Sequence, residues 1–308
     1  LLSLSTGKDH DGKQIHEDPL ISAIYADAQT RLREPRHLEQ MIKTLDQIDW
    51  FSATKDGLGD LYEGLLEKNA SETKSGAGQY FTPRPLINSM VRCLKPQAGE
   101  TIQDPAAGTA GFLIAAMHNM LQKTDNLETQ RNIRKNQLHG LELQPYMFTI
   151  ATTNMILRGD GKSNLEQEDF LKYNPSQLQE KSCTVGMMNP PYSMGNKNSP
   201  SLYEINFTEH LLNSVVQDGK VVVIVPQSTM VGKTKEEQAT KENILKHHTL
   251  EGVVTLNKNS FYGVGTNPCI AIFTAGVPHY KEKNVKFINF ENDGFEVQKH
   301  RGLVETIQ

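Results

Sequence analysis

Asp104-Pro105-Ala106-Ala107-Gly108-Thr109-Ala110-Gly111-Phe112 is the stretch on which the fold turns. A short strand signal over residues 101–104 runs into it, and a helix apolar nearly all round, residues 111–121, runs out of it. A strand that feeds a buried helix through a turn of small residues is the unit of a parallel sheet covered on both faces. Small residues let a ligand approach the backbone, and the N–H groups of the following helix point at it. A Gly-rich turn alone is weak evidence, so its surroundings decide.

Working outward, a second strand over residues 138–141 ends at Glu142, and a helix with proline in its first turn follows at residues 145–157. An acidic residue at that strand end is the acceptor expected for the ribose hydroxyls of an adenosine-containing cofactor. The step from Gly111 to Glu142 is 31 residues. The usual spacing is about twenty, and the polar stretch 123–136 reads as a surface insertion that accounts for the excess. Asp169-Phe170 falls near the expected third strand end, where a carboxylate can accept from an adenine amino group. Glu142 as a capping carboxylate and Asp169 as a solvated turn residue are the plainer alternatives. Further strands are predicted at 183–188, 220–225, 250–256, 269–274 and 285–290, including an antiparallel pair, with helices at 205–216 and 236–247. This alternation predicts an α/β, Rossmann-like sheet.

Asn189-Pro190-Pro191-Tyr192 ends the apolar strand at 183–188, where a parallel sheet presents its ligands. By average composition the tetrapeptide arises by chance in about one chain in a thousand of this size. An amino group on an aromatic ring is a poor nucleophile because its lone pair is delocalised. The Asn189 carboxamide oxygen and the Pro190 carbonyl can accept from such a group and draw its nitrogen toward a tetrahedral form. Two prolines fix the backbone so that these acceptors are pre-aimed, and Tyr192 can stack on the ring. A strand-ending Pro-Pro turn is the bland alternative.

Residues 1–75 read as a partial N-terminal helical domain and residues 76–308 as the catalytic domain. The stripe Leu38, Met41, Ile42 and Leu45 on one helical face reads as core packing, as does Leu58, Leu61, Leu65 and Leu66 on another. Residues 71–78 read as a linker. The 308 residues, 37% hydrophobic, suffice for one sizeable core, and no apolar run approaches the roughly 18 residues that span a membrane. Cys93, Cys183 and Cys269 lack metal-ligand spacing and read as reduced, cytoplasmic thiols; no metal is expected. A net charge of −4 is unhelpful for gripping phosphates, so a DNA-binding role implies a partner that supplies much of the grip. The start of the chain, without methionine, reads as the cut edge of a longer protein. Gly159-Asp160-Gly161-Lys162-Ser163 lacks the earlier glycine of a phosphate loop and reads as a surface turn. His247-His248 reads as a helix end.

Gln79-Tyr80-Phe81-Thr82-Pro83, the Asp104–Phe112 turn, Glu142, Asp169-Phe170 and Asn189 to Tyr192 occur in an order that resembles the modification subunits of type I restriction-modification systems, which are adenine-N6 DNA methyltransferases using S-adenosylmethionine. The likeness runs from about Gly59 to near Phe290. It implies that the cofactor is contacted by Tyr80, Phe81, Thr82, Asp104, Ala106, Gly108, Thr109, Gly111, Glu142, Asp169, Phe170 and Asn189. Thr82 would meet the methionine end, Asp104, Ala106 and Gly108 the amino-acid portion, Glu142 the ribose, and Asp169 with Phe170 the adenine. Asn189, Pro190, Pro191 and Tyr192 would form the catalytic tetrapeptide around a flipped base, with Phe261-Tyr262 resembling the region on the base's other face. The implied partners are double-stranded DNA, a specificity subunit, a restriction subunit and a second modification subunit. This chain departs from the family in having Ala107 where Cys is frequent and Ala110 where Gly is usual. A glutamine N5-methyltransferase acting on protein shares the tetrapeptide, and a non-catalytic assembly module is the rival from another class.

Overall fold

Strand β1, Ile102–Asp104, is buried at every position and lies at the middle of the parallel sheet. The computed structural model describes residues 2–26, 30, 32–47, 62, 64, 82–159, 164–232, 234–258, 260–261, 266–290, 292, 294–298 and 302–306. Around β1 stand β2 (Leu138–Leu141), β3 (Asn164–Glu166), β4 (Val185–Met188), β5 (Lys220–Pro226), β6 (Thr249–Thr255), β7 (Pro268–Thr274) and β8 (Lys286–Asn289). Their order across the sheet is β3-β2-β1-β4-β5-β7-β6-β8. Strands β1 to β5 pair in parallel, β7 runs antiparallel to both β5 and β6, and β8 is parallel to β6. The expected antiparallel element is thus β7, wedged between two other strands. A small hairpin of β9 (Phe295–Gln298) and β10 (Gly302–Glu305) was not foreseen from the sequence.

Runs such as Val221 to Val225 are buried on both faces, as a doubly covered sheet requires. One face packs Leu113, Met117 and Met120 of helix Gly111–Leu121 with Ile87 and Val91 of helix Arg84–Leu94. The other packs Leu211 and Leu212 of helix Glu204–Ser214 with Val223, Val225 and Ile244. Leu113 is fully buried, and its truncation to Ala is worth about 2–5 kcal/mol. Gly140 leaves the room on β2 that the side chains of Leu113 and Leu165 fill.

The polar stretch 123–136 carries a helix over residues 127–136, capped by Asn126 accepting from Thr129 N–H and anchored by Ile133, its one buried residue. Its polarity reflects a helix with only one strongly buried side, which a search for long apolar stripes passes over. Leu38, Met41, Ile42 and Leu45 of helix Pro35–Asp46 are each more than a third exposed, so that stripe is not core packing within the described residues. The Leu58–Leu66 stripe and the 71–78 linker lie outside the described residues. Cys183 and Cys269 are buried and their thiols are pushed up to about 12 by burial, while Cys93 is exposed. Among the described residues no helix is long and apolar enough to cross a membrane.

Candidate active site

The register sets β1, β2 and β4 in step. Asp104 lies opposite Gly140, and Gln103 opposite both His139 and Gly186, so Asp104, Glu142 and Asn189 all leave the same edge of neighbouring strands. That edge is also where the strand order reverses direction between β1 and β4, the place at which doubly wound sheets hold ligands.

The turn after β1 is built from backbone. Gly108 has φ +55 and Ala110 φ +64, and together they swing the chain into helix Gly111–Leu121. Ala110 pays the left-handed penalty of roughly 1–2 kcal/mol that a glycine there would avoid. Cross-links hold the turn. Ala107 N–H donates to the Leu141 carbonyl at 2.9 Å, and Gly108 N–H donates to Glu142 Oε2 at 2.9 Å. Asn154, fully buried on helix Pro145–Leu157, donates from Nδ2 to the Thr109 carbonyl at 2.9 Å. Near Gly108 an added Cβ would meet nothing closer than 3.9 Å, so the space beside this backbone is open. At Gly111 it would meet Ile87 Cδ1 at 2.7 Å, which gives that glycine a role in packing the two helices.

Two carboxyls border the turn. Asp104 is 1% exposed; Oδ1 accepts from Ala106 N–H at 3.3 Å, and Oδ2 has no partner among the described residues. Burial raises its pKa to about 8, the Ala106 hydrogen bond opposing and the nearby Glu142 carboxyl adding to the shift. Glu142 is also pushed up by burial, against hydrogen bonds from Gln144 and Gly108 N–H. A carboxylate has about four acceptor positions, so Glu142 keeps capacity beyond those two bonds.

The turn after β4 is built from side chains and prolines. Asn189 Nδ2 donates to Thr82 Oγ1 at 2.9 Å, while Asn189 Oδ1 is buried without a partner among the described residues. Pro190 is buried and Pro191 half-buried. Ser193, at φ +59, closes the turn by donating its N–H to Glu204 Oε1 at 2.7 Å.

The structure departs from the sequence reading in places. Tyr192 is 2% exposed and its hydroxyl donates to the Ile224 carbonyl of β5 at 3.3 Å, so the ring expected to stack on a base is covered here and anchors the turn instead. Phe261 is 4% exposed within the core beside Leu256 and Ile270, which leaves little ring to offer a ligand. Asp169 caps the short 3-10 turn Phe170–Lys172, Oδ1 accepting from Leu171 N–H at 3.0 Å. Phe170 is buried, edge-on to His210 with ring centroids 4.5 Å apart. Ala106 and Thr109 are half-buried on the turn. Tyr80, Phe81 and Tyr262 lie outside the described residues, as do residues 160–163. His248 ends helix Lys235–His247, its ring bonding Asn213 and Gly276. Asn154 and Glu204 were missed; a lone amide inside an otherwise apolar helix was the available signal for the first.

Residues 53–306 match the family model of the N-6 DNA methylases. The type II restriction enzyme and methyltransferase RM.BcgI of Heyndrickxia coagulans is 46% identical over 250 residues, 81% of this chain and 39% of that protein. The type I restriction enzyme StySJI methylase subunit of Salmonella typhimurium is 32% identical over 292 residues, 87% of this chain and 55% of that subunit. The chain therefore spans about half the length, or less, of these relatives. A crystal structure of the type I restriction-modification methyltransferase subunit from Streptococcus thermophilus superposes with a TM-score of 0.75 at 20% identity, covering 94% of this chain and 64% of that one, a likeness of fold.

Proposed function

The chain belongs to the N-6 DNA methylase family, and we propose that it carries the site that methylates adenine N6 in DNA as the modification part of a type I restriction-modification enzyme. The single observation that carries this reading is Asn189 Oδ1, a buried acceptor left unpaired at the carboxyl edge of β4. Unpaired buried acceptors cost about 1–3 kcal/mol, and a ligand that donates an amino hydrogen relieves that cost.

Asp104, Glu142 and the open backbone at Gly108 suit S-adenosylmethionine. Asp104 offers the unpartnered Oδ2 to an ammonium group, Glu142 offers remaining lone pairs to ribose hydroxyls, and Gly108 leaves space for close approach. When bound, that cofactor supplies an electrophilic methyl group on a sulfonium. Asn189 Oδ1 accepts one hydrogen of the adenine amino group and the Pro190 carbonyl the other, stabilising the positive charge that grows on the nitrogen. The prolines and the Tyr192–Ile224 anchor keep these acceptors from retreating. Reaching the base requires rotating it from the duplex, which costs a few kcal/mol. Asp169 and Phe170 are assigned to the adenine end of the cofactor and Thr82, Ala106, Thr109 and Gly111 to the rest of its surroundings; for Tyr80 and Phe81 the same assignment rests on the family resemblance alone. Residues 1–75 are taken as the helical appendage and 76–308 as the catalytic unit, working in the cytoplasm with specificity and restriction subunits and a second modification subunit.

The 46% identity to a protein named as both restriction enzyme and methyltransferase favours a second reading, in which cleavage and methylation reside in one polypeptide. DNA cleavage by the whole protein without added subunits would decide for it. The test of the main reading is transfer of a radiolabelled methyl group to unmethylated DNA and not to protein, followed by nucleoside analysis. Label found in protein glutamine, or in cytosine, would overturn it.

A further inference from the structure

Thr82 and Asn189 stand 107 positions apart, yet the Asn189 Nδ2 donates to the Thr82 hydroxyl at 2.9 Å. We propose that Thr82 is a positioning residue that holds the Asn189 carboxamide in the place where it meets the target amino group. This rests on the reading that Asn189 receives an amino group.

A primary amide presents an oxygen and an NH2 group at nearly equivalent places, exchanged by turning its last bond. Facing one way, Oδ1 meets the incoming amino hydrogens. Facing the other, two donors confront one another and binding is repelled. In the observed orientation Oδ1 is buried without a partner among the described residues, which by itself works against that orientation. A hydroxyl can meet either face of an amide; accepting from Nδ2, as Thr82 does, it leaves Oδ1 turned to the site and ties the group to the start of helix Arg84–Leu94.

Thr82 is well supported for this task. It precedes Pro83, whose carbonyl accepts from Leu86 and Ile87 N–H, both at 3.1 Å, at the start of helix Arg84–Leu94. That helix buries Ile87, Met90 and Val91, and Arg84 Nη1 donates to the Gly111 carbonyl at 3.4 Å. The hydroxyl that orients the amide is therefore mounted on an element tied to the turn after β1. A hydroxyl that accepts from Asn189 retains its own proton to donate, so a cofactor contact by Thr82 and this positioning role are compatible.

Thr82→Val keeps the side-chain shape and deletes the acceptor, whereas Thr82→Ser keeps it. With saturating cofactor and unmethylated genomic DNA, Thr82→Val should lower kcat by about tenfold or more, whatever the change in the Kd of S-adenosylhomocysteine by calorimetry; Thr82→Ser should restore kcat to within about threefold. A Thr82→Val chain whose Kd rises tenfold at unchanged kcat would make Thr82 a cofactor ligand only and overturn the assignment, as would full activity in both respects. Should methyl transfer be absent from the wild type, the functional reading fails on its own. Positioning is still tested by NMR, since the Asn189 side-chain 15N–1H2 pair, assigned through Asn189→Asp, should be protected from exchange in wild type and Thr82→Ser. An unprotected pair in the wild-type chain would sink the proposal even if Thr82→Val did not fold.

Discussion

The turns that leave β1 and β4 are neighbours on one sheet edge and are made by opposite means. After β1 the chain uses small residues and left-handed backbone, Gly108 and Ala110, ties up the N–H groups of residues 106–108 and 110 in its own bonds, and leaves open space beside Gly108. After β4 it uses prolines, a carboxamide and a buried tyrosine, and offers oxygens. The first arrangement suits a ligand that must lie against the backbone. The second suits a ligand that must be met at one angle. What separates them is where the stiffness comes from: a hydrogen bond accepted by Glu142 and one donated by Asn154 brace the first, and covalent rings brace the second.

Removing the acceptor of the second turn tests that division most severely. Asn189→Ala should cut methyl transfer by at least about a hundredfold while calorimetry finds cofactor affinity nearly unchanged; equal losses in both would merge the two turns into one unit. In the first turn, Glu142→Ala strips the Gly108 N–H of its acceptor. Cofactor binding should weaken by about ten- to a hundredfold, seen as loss of the thermal shift with S-adenosylmethionine, while turnover at saturation falls far less.

A pH experiment sharpens the contrast further. Asp104 holds its proton to about pH 8 when folded but only to the ordinary carboxyl range when unfolded, so between those values folding takes up a proton and stability declines as pH rises. Asp104→Asn should raise Tm by an increment that grows from pH 5 to pH 8 and levels off above; an increment independent of pH would remove the buried carboxyl from the account. Cofactor binding near pH 7 should release close to one proton in wild type, measured by calorimetry in buffers of different ionisation enthalpy, and none in Asp104→Asn. The smallest effect belongs to Ala110→Gly. Relief of the left-handed backbone, less the entropy glycine loses on folding, leaves a gain of about 0.5–1 kcal/mol or a Tm rise of roughly 2 °C.

Much of this was legible from residue order. The strand-turn-helix at 101–121 and the helix at 145–157 follow from apolar runs bounded by Gly and Pro, which are local signals. Asp104, Glu142 and Asn189 were found because strand ends in a parallel sheet converge. The Thr82–Asn189 bond was not legible, because nothing local links a hydroxyl to an amide across the whole sheet. Tyr192 misled for a related reason: an aromatic beside a catalytic turn suits stacking and packing equally, and only the position of Ile224 on the next strand decides. The Leu38–Leu45 stripe shows that periodicity identifies a helix face without naming what lies against it.

The three cysteines have a practical outcome. Two are buried with thiols driven far above neutrality, so at pH 7 a maleimide dye should add at Cys93 alone, near the end of the helix that begins just after Thr82. Nature has left a single dye attachment point there, so fluorescence could follow that helix as it responds to cofactor and DNA without any engineered residue.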